Sequence, residues 1–172
     1  MEYENGFVRK YDLVLNEARM PYLKTIGRAK LDHPFLNRPD DVAAFMTARF
    51  EANHLPEEHI WTIALNWKLR PVGVFEVSHG TGNQASMEIR QTITRILYTG
   101  APAMMVVHNH PSGDPTPSME DESLTRNLRD ACTMVGINLI DHVIIGEGNH
   151  YFSFIEDRPE VIRQDRSGSG EN

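Results

Sequence analysis

The chain has 172 residues, 40% hydrophobic and 24% charged, which suits one globular domain able to bury roughly 70% of its unfolded surface. A formal net charge of -7, from 17 Lys+Arg against 24 Asp+Glu, argues against non-specific binding to phosphate backbones, which needs a basic face. The single cysteine, Cys132, excludes an internal disulfide and any cysteine-based zinc site within one chain.

The N-terminal M-E-Y-E-N-G-F-V carries neither a basic n-region nor an apolar h-region, and no apolar run approaches the ~20 residues of a membrane span. A cytoplasmic location without a membrane partner is therefore the expectation. Phe7 to Leu15 alternates and predicts a strand or extended arm, whereas Pro21, Gly27 and Pro34 break any periodicity between Met20 and Asn37. R-P-D-D followed by Val42, Phe45, Met46 and Phe50 predicts an amphipathic helix with an acidic start. A strand from His59 to Trp67, a turn near Arg70-Pro71 and a strand from Val72 to Ser78 form a predicted hairpin, with H-G-T-G-N following as a loop. Ile89, Ile93, Ile96 and Leu97 recur at helical spacing within a helix expected over Ser86 to Tyr98.

Ala103 to His108 is apolar on both faces and predicts a central strand. A third helix is expected from Ser118 to Val135, ended by Gly136 as a left-handed cap, with Cys132 as a reduced core thiol. I-N-L-I-D-H-V-I-I-G predicts another buried strand and Tyr151 to Phe154 a last one, before a polar tail from about Asp157. The order β-β-α-β-α-β-β implies a mixed sheet flanked by helices, an α/β or α+β sandwich.

The densest chemistry lies in H-N-H-P-S-G-D-P-T-P-S-M-E-D, from His108 to Asp121. Residues i and i+2 of a strand project to one side, so His108 and His110 share a face, roughly 7 Å apart at Cα. Three residues along a helix separate Ser118 from Asp121, one turn on the same face. Two imidazoles and a carboxylate suit a dication such as zinc with a fourth position open to water. Pro111, Pro115 and Pro117 stiffen the loop between strand and helix. Ser118 and Asp121 also fit a helix cap, a role compatible with a site. A hydrolytic centre needs a carboxylate base outside the coordination shell. Glu57, Glu58, Glu76 and Glu88 are the candidates, with Glu58 directly before the His59 strand. His54, His59, His79 and His150 are expected as isolated surface or turn residues.

The run from His108 to Asp121 resembles the JAMM signature H-x-H-x(7)-S-x-x-D of MPN/JAB metalloproteases. L-P-E-E-H-I-W-T-I-A-L-N, V-S-H-G-T and G-I-N-L-I-D-H-V-I-I-G stand around it as in the RadC family, over approximately residues 40 to 157. The resemblance implies an MPN/JAB, cytidine-deaminase-like fold over residues 39–157, with 1–38 as an extension and 158–172 as a polar, disordered tail. It also implies zinc on His108, His110 and Asp121 with a water as fourth ligand, Ser118 assisting the oxyanion and Glu58 as the glutamate of the pattern. His142 also matches the family, as a structural histidine packed near the site. Nothing here resembles the helix-hairpin-helix region that RadC proteins often carry, and A-S-M-E-I-R stands where they read H-P-R-E.

The expected function is a zinc-dependent JAMM-type hydrolase, in which zinc-activated water attacks the amide carbonyl of a peptide or isopeptide-like substrate. The alternative is a DNA-repair-associated nucleic-acid-processing or adaptor protein in which the metal is secondary. The acidic charge disfavours DNA as a partner. A zinc deaminase is set aside, because its P-C-x-x-C pair needs two cysteines. Exposed strand edges make a homodimer an expectation.

Overall fold

A computed structural model describes residues 6–80 and 87–163. Its strands are β1 (Phe7–Leu15), β2 (Pro21–Lys30), β3 (His59–Leu65), β4 (Pro71–His79), β5 (Ala103–Asn109), β6 (Asn138–Ile145) and β7 (Tyr151–Ser153). Its helices are α1 (Pro39–Phe50), α2 (Ile89–Thr99), α3 (Met119–Met134), α4 (Phe154–Asp157) and α5 (Pro159–Ile162). The strands form one mixed seven-stranded sheet in the order β2-β1-β4-β3-β5-β6-β7. β3 runs antiparallel to both β4 and β5, and β5 runs parallel to β6 through the α3 crossover.

The seven residues of β5 are all buried because both faces of the sheet are covered. Met105 and Val107 pack with Trp61, Ile63, Val143 and the α1 residues Val42 and Met46. Met104 and Val106 pack on the other face with Ile60, Phe75, Ile96 of α2 and Leu128 of α3. Period-2 alternation thus assigns each β5 side chain to a face, and His108 falls on the α2/α3 side. Cys132 is buried there as a core thiol, pushed up to about 12 by burial.

Several elements differ from expectation. Pro21 and Gly27 break the sequence periodicity, yet β2 forms, because β1 supplies its hydrogen-bond partner along the whole strand. Pro21 stands first in β2, where a missing N–H costs least, and Gly27 pairs with Lys10 beside a bulge. Residues 6–38 thereby add a hairpin to the common sheet, β1 lying parallel to β4. β3 stops before Trp67, because Asn66 Oδ1 accepts from the N–H groups of Lys68 and Arg70 and closes the turn. Phe154 opens α4 instead of ending β7. The first residues of the segment expected as a polar tail are ordered: Pro159–Ile162 makes a helical turn that buries Val161 and Ile162 against the α2/α3 core. Residues 164–172, Thr81 to Asn83 of the expected loop and Ser86 lie outside the described residues.

Candidate metal centre

The site forms where β5 ends. His108 is wholly buried on the α2/α3 face, and His110, one residue beyond the strand, is half-buried. The His110 N–H donates to the carbonyl of Ile145 at 2.9 Å, so the chain stays tied to β6 as it leaves the sheet. The loop then turns back through Gly113, whose φ of +83° favours glycine. Gly113 accepts from the Glu147 N–H at 2.9 Å, and Gly146 lies beneath it, where an added Cβ would come within 2.7 Å of Pro115 Cδ. Glycine at 146 is what allows the loop to sit on the end of β6.

The loop delivers the N-terminus of α3. Ser118 is the N-cap: its Oγ accepts from the Asp121 N–H at 3.1 Å, while Asp121 Oδ2 accepts from Ser118 N–H at 2.8 Å. This reciprocal box gives Asp121 both a helix-terminal position and a fixed rotamer. The Ser118 hydroxyl also donates to Asp121 Oδ2 at 2.7 Å. The capping role is therefore realised, and it serves to aim the carboxylate.

His108 Nε2 lies 3.0 Å from His110 Nε2 and 3.3 Å from Asp121 Oδ1, and His110 Nε2 lies 3.6 Å from Asp121 Oδ2. Ligand atoms at tetrahedral corners around a metal with bonds of about 2.05 Å stand roughly 3.3 Å apart. The three groups are already spaced as such corners.

The protons behind them are placed by chemistry. The Thr125 hydroxyl has one proton and donates it to the Asp121 carbonyl at 2.6 Å. Its oxygen, 2.7 Å from His142 Nδ1, must then accept, which puts the His142 proton on Nδ1. Burial lowers the His142 pKa to about 4, so the ring is neutral and its Nε2 bare. That Nε2 accepts from His108 Nδ1–H at 2.7 Å, which leaves the lone pair of His108 on Nε2. The Asp114 carbonyl, 2.7 Å from His110 Nδ1, likewise fixes that proton and turns Nε2 inward. Two imidazole nitrogens and a carboxylate converge as acceptors, an arrangement that calls for a positive charge among them.

The acid–base behaviour of the three groups follows from the same contacts. Burial keeps His108 well below its ordinary value, reinforced by the neighbouring His142. Burial would raise Asp121, but the His110 contact, the His108 charge and the Ser118 hydrogen bonds outweigh it and hold the carboxyl well below the usual range. Burial also lowers His110, yet Asp121, the Asp114 carbonyl and the charge of Glu58 raise it overall. The donor set and spacing fit a borderline dication such as zinc.

Of the four glutamates, Glu58 is the one whose charge acts on His110. Ile60 pairs with His108, so two residues back Glu58 stands beside His110, and its charge is felt there. Its placement depends on Asn109, a buried residue between the two histidines. Asn109 Oδ1 accepts from the His59 N–H at 2.8 Å, and its Nδ2 donates to the Glu57 carbonyl at 2.9 Å. The peptides on both sides of Glu58 are thus clasped from the opposite face of the sheet. Glu57 contacts His79, Glu76 contacts His59, and Glu88 accepts from Gln91 at the start of α2. Sequence reasoning left Asn109 and Thr125 unnoticed. Their only signals are a polar residue in an apolar strand and a threonine one turn after Asp121.

Among the described residues no helix is long and apolar enough to cross a membrane. A family model for the RadC-like JAB domain matches residues 36–159. A UPF0758 protein of Coprothermobacter proteolyticus is 36% identical over 117 residues, 67% of this chain and 50% of its own length. Another from Desulforudis audaxviator is 40% identical over 114 residues, 66% of this chain and 49% of its own. A third from Chloroflexus aurantiacus is 37% identical over 135 residues, 78% of this chain and 58% of its own. The chain spans about half the length of the curated relatives it matches. With His108 to Asp121 and its supporting residues inside the matched region, the chain belongs to the RadC-like JAB domain family.

Proposed function

We propose that the chain is a zinc-dependent hydrolase of the JAMM type that cleaves an amide bond in a peptide or isopeptide-like substrate. The observation that carries this reading is the convergence of two imidazole Nε2 atoms and a carboxylate at tetrahedral spacing, with a glutamate whose charge reaches His110. His108, His110 and Asp121 would hold the ion. A dication bound there supplies Lewis acidity, acidifying water toward neutrality and polarising a carbonyl.

The chain's own residues do the rest. Glu58 takes the proton of the attacking water and returns it to the departing amine, a role open to a half-buried carboxylate beside His110. Asn109 fixes the backbone on both sides of that carboxylate. Ser118 first orients Asp121 through its hydroxyl, and on swinging from Asp121 Oδ2 it donates to the developing oxyanion.

Metal content and hydrolysis test the proposal together. Protein purified without added zinc should carry near-stoichiometric metal at this site, and His108→Ala and Asp121→Ala should lose it. Glu58→Gln should keep the metal and lose cleavage of a fluorogenic peptide or isopeptide library. Equal metal in the parent, His108→Ala and Asp121→Ala would sink the assignment.

A further inference from the structure

His59 and His79, isolated in the sequence, are direct cross-strand partners in β3 and β4. Their rings stack at 4.0 Å between centroids, with 23° between planes. Glu57 Oε2 meets His79 Nε2, and Glu76 Oε1 lies 2.7 Å from His59 Nδ1. One ligand atom from each of Glu57, His59 and His79 lies within 4.8 Å of the other two. Four titratable groups thus share one patch at the open end of the β3–β4 pair.

The cluster lies on the opposite side of the sheet from the first centre. His59 stacks on Trp61, a residue of the α1-facing core, whereas His108 and Glu58 belong to the α2/α3 face. Two imidazoles from paired strands and the Glu57 carboxylate bring nitrogen and oxygen ligand atoms within reach of one ion. Glu76 completes the arrangement from behind: as acceptor for His59 Nδ1–H it fixes the tautomer and leaves Nε2 with the lone pair.

We propose that Glu57, His59 and His79 form a second dication site, for an ion of the zinc, nickel or copper class that imidazole and carboxylate favour. The site does not depend on the hydrolase reading. It is open to solvent, the His79 side chain being 54% exposed, so it binds more weakly than the buried centre. Because residues 57–59 also carry Glu58, an ion on Glu57 and His59 stiffens the segment that presents that carboxylate.

Equilibrium dialysis of the 172-residue apo chain against Zn2+ and, separately, Ni2+, with bound metal counted by mass spectrometry, tests the site. His79→Ala and Glu57→Gln should each remove one ion per chain or weaken that ion's Kd at least tenfold. The same ion should persist in the His108→Ala/Asp121→Ala double variant, which separates this proposal from failure of the first centre. Both single substitutions are at side chains open to solvent, and matching circular dichroism melts serve as the folding control. Stoichiometry and Kd unchanged by both single substitutions would overturn the proposal.

Discussion

Two histidine clusters flank the same strand ends and are built in opposite ways. His108, His110 and Asp121 are held by a buried relay through His142 and Thr125, a capped helix and a proline-stiffened loop. Glu57, His59 and His79 rest on two strand ends, with Glu76 and the Trp61 ring against His59. The difference lies in what stands behind the ligands. Buried supports fix proton positions and prepay side-chain entropy, whereas exposed side chains must be ordered by the ion itself.

The largest effect should come from the charge at the buried cluster. Asp121→Asn retains an acceptor for the Ser118 groups but loses the anion, and metal affinity should fall about 100-fold or more, beyond the ~10–100-fold typical of outer partners. Asp121→Ala should lose the metal as well and cost about 1 kcal/mol of helix capping. Calorimetric metal titration alongside thermal melts separates the two, and an Asn variant that binds like the parent would remove Asp121 from the ligand set. Neither change should disturb the exposed cluster.

Gly146→Ala alters no ligand. An added Cβ would stand 2.7 Å from Pro115 Cδ, so the loop bearing His110 must lift from the end of β6. A loss of about tenfold in metal affinity at the buried centre is expected, within the range for outer-support changes. Thr125→Val keeps the shape but removes the acceptor for His142 Nδ1–H, leaving a buried donor unpaired at a cost of about 1–3 kcal/mol. The His142 ring is then free to change tautomer, and the lone pair of His108 is no longer fixed on Nε2. Nuclear magnetic resonance of the imidazole nitrogens reads that directly: unchanged His108 and His142 tautomers in Thr125→Val would show that the relay does not set them.

The grouping of His108, His110, Ser118 and Asp121 was readable from sequence because strand and helix periodicities are short-range rules. An i, i+2 pair at the end of β5 and an i, i+3 pair at the start of α3 need no tertiary information once the elements are known. Pairing between strands is long-range, and there the sequence fell silent. The neighbourhood of His59 and His79 depends on the β3–β4 register, and the clasp of Asn109 on residues 57 and 59 depends on β3 lying beside β5. β2 went unseen for the same reason: its strand identity comes from β1, not from its own pattern. The family match begins at residue 36, so the hairpin lies outside what a RadC resemblance implies.

Asp141 extends the contrast to pH. It is buried, accepting from the Ser153 hydroxyl at 2.6 Å and from the N–H groups of His142 and Ile155, and so ties β6 to β7 and α4. Burial lifts its carboxyl from 3.8 to about 6, despite those three donors. A folded pKa above the unfolded one means that stability is fully present below about pH 4 and is lost as pH rises through about 6. The loss is on the order of 3 kcal/mol at neutral pH. Asp141→Asn keeps an acceptor for both N–H groups and cannot ionise, so its stability relative to the parent should improve between pH 4 and 7. Parallel denaturation profiles for the two proteins across that window would show that Asp141 stays ionised in the fold.

The smallest effect belongs to Glu76→Gln. Its side chain is 46% exposed, and an ion pair so open to solvent contributes roughly 0–1 kcal/mol, so the melting curve should barely move. Gln still accepts from His59 Nδ1–H, so the tautomer is kept while the ligating nitrogen becomes less basic. A few-fold loss of Zn2+ affinity at the exposed cluster, with the buried centre unchanged, is the expected result in the dialysis experiment. An equal loss at both centres would instead show that Glu76 acts through the fold, and the two clusters would then have to be treated as one network joined through residues 57–59.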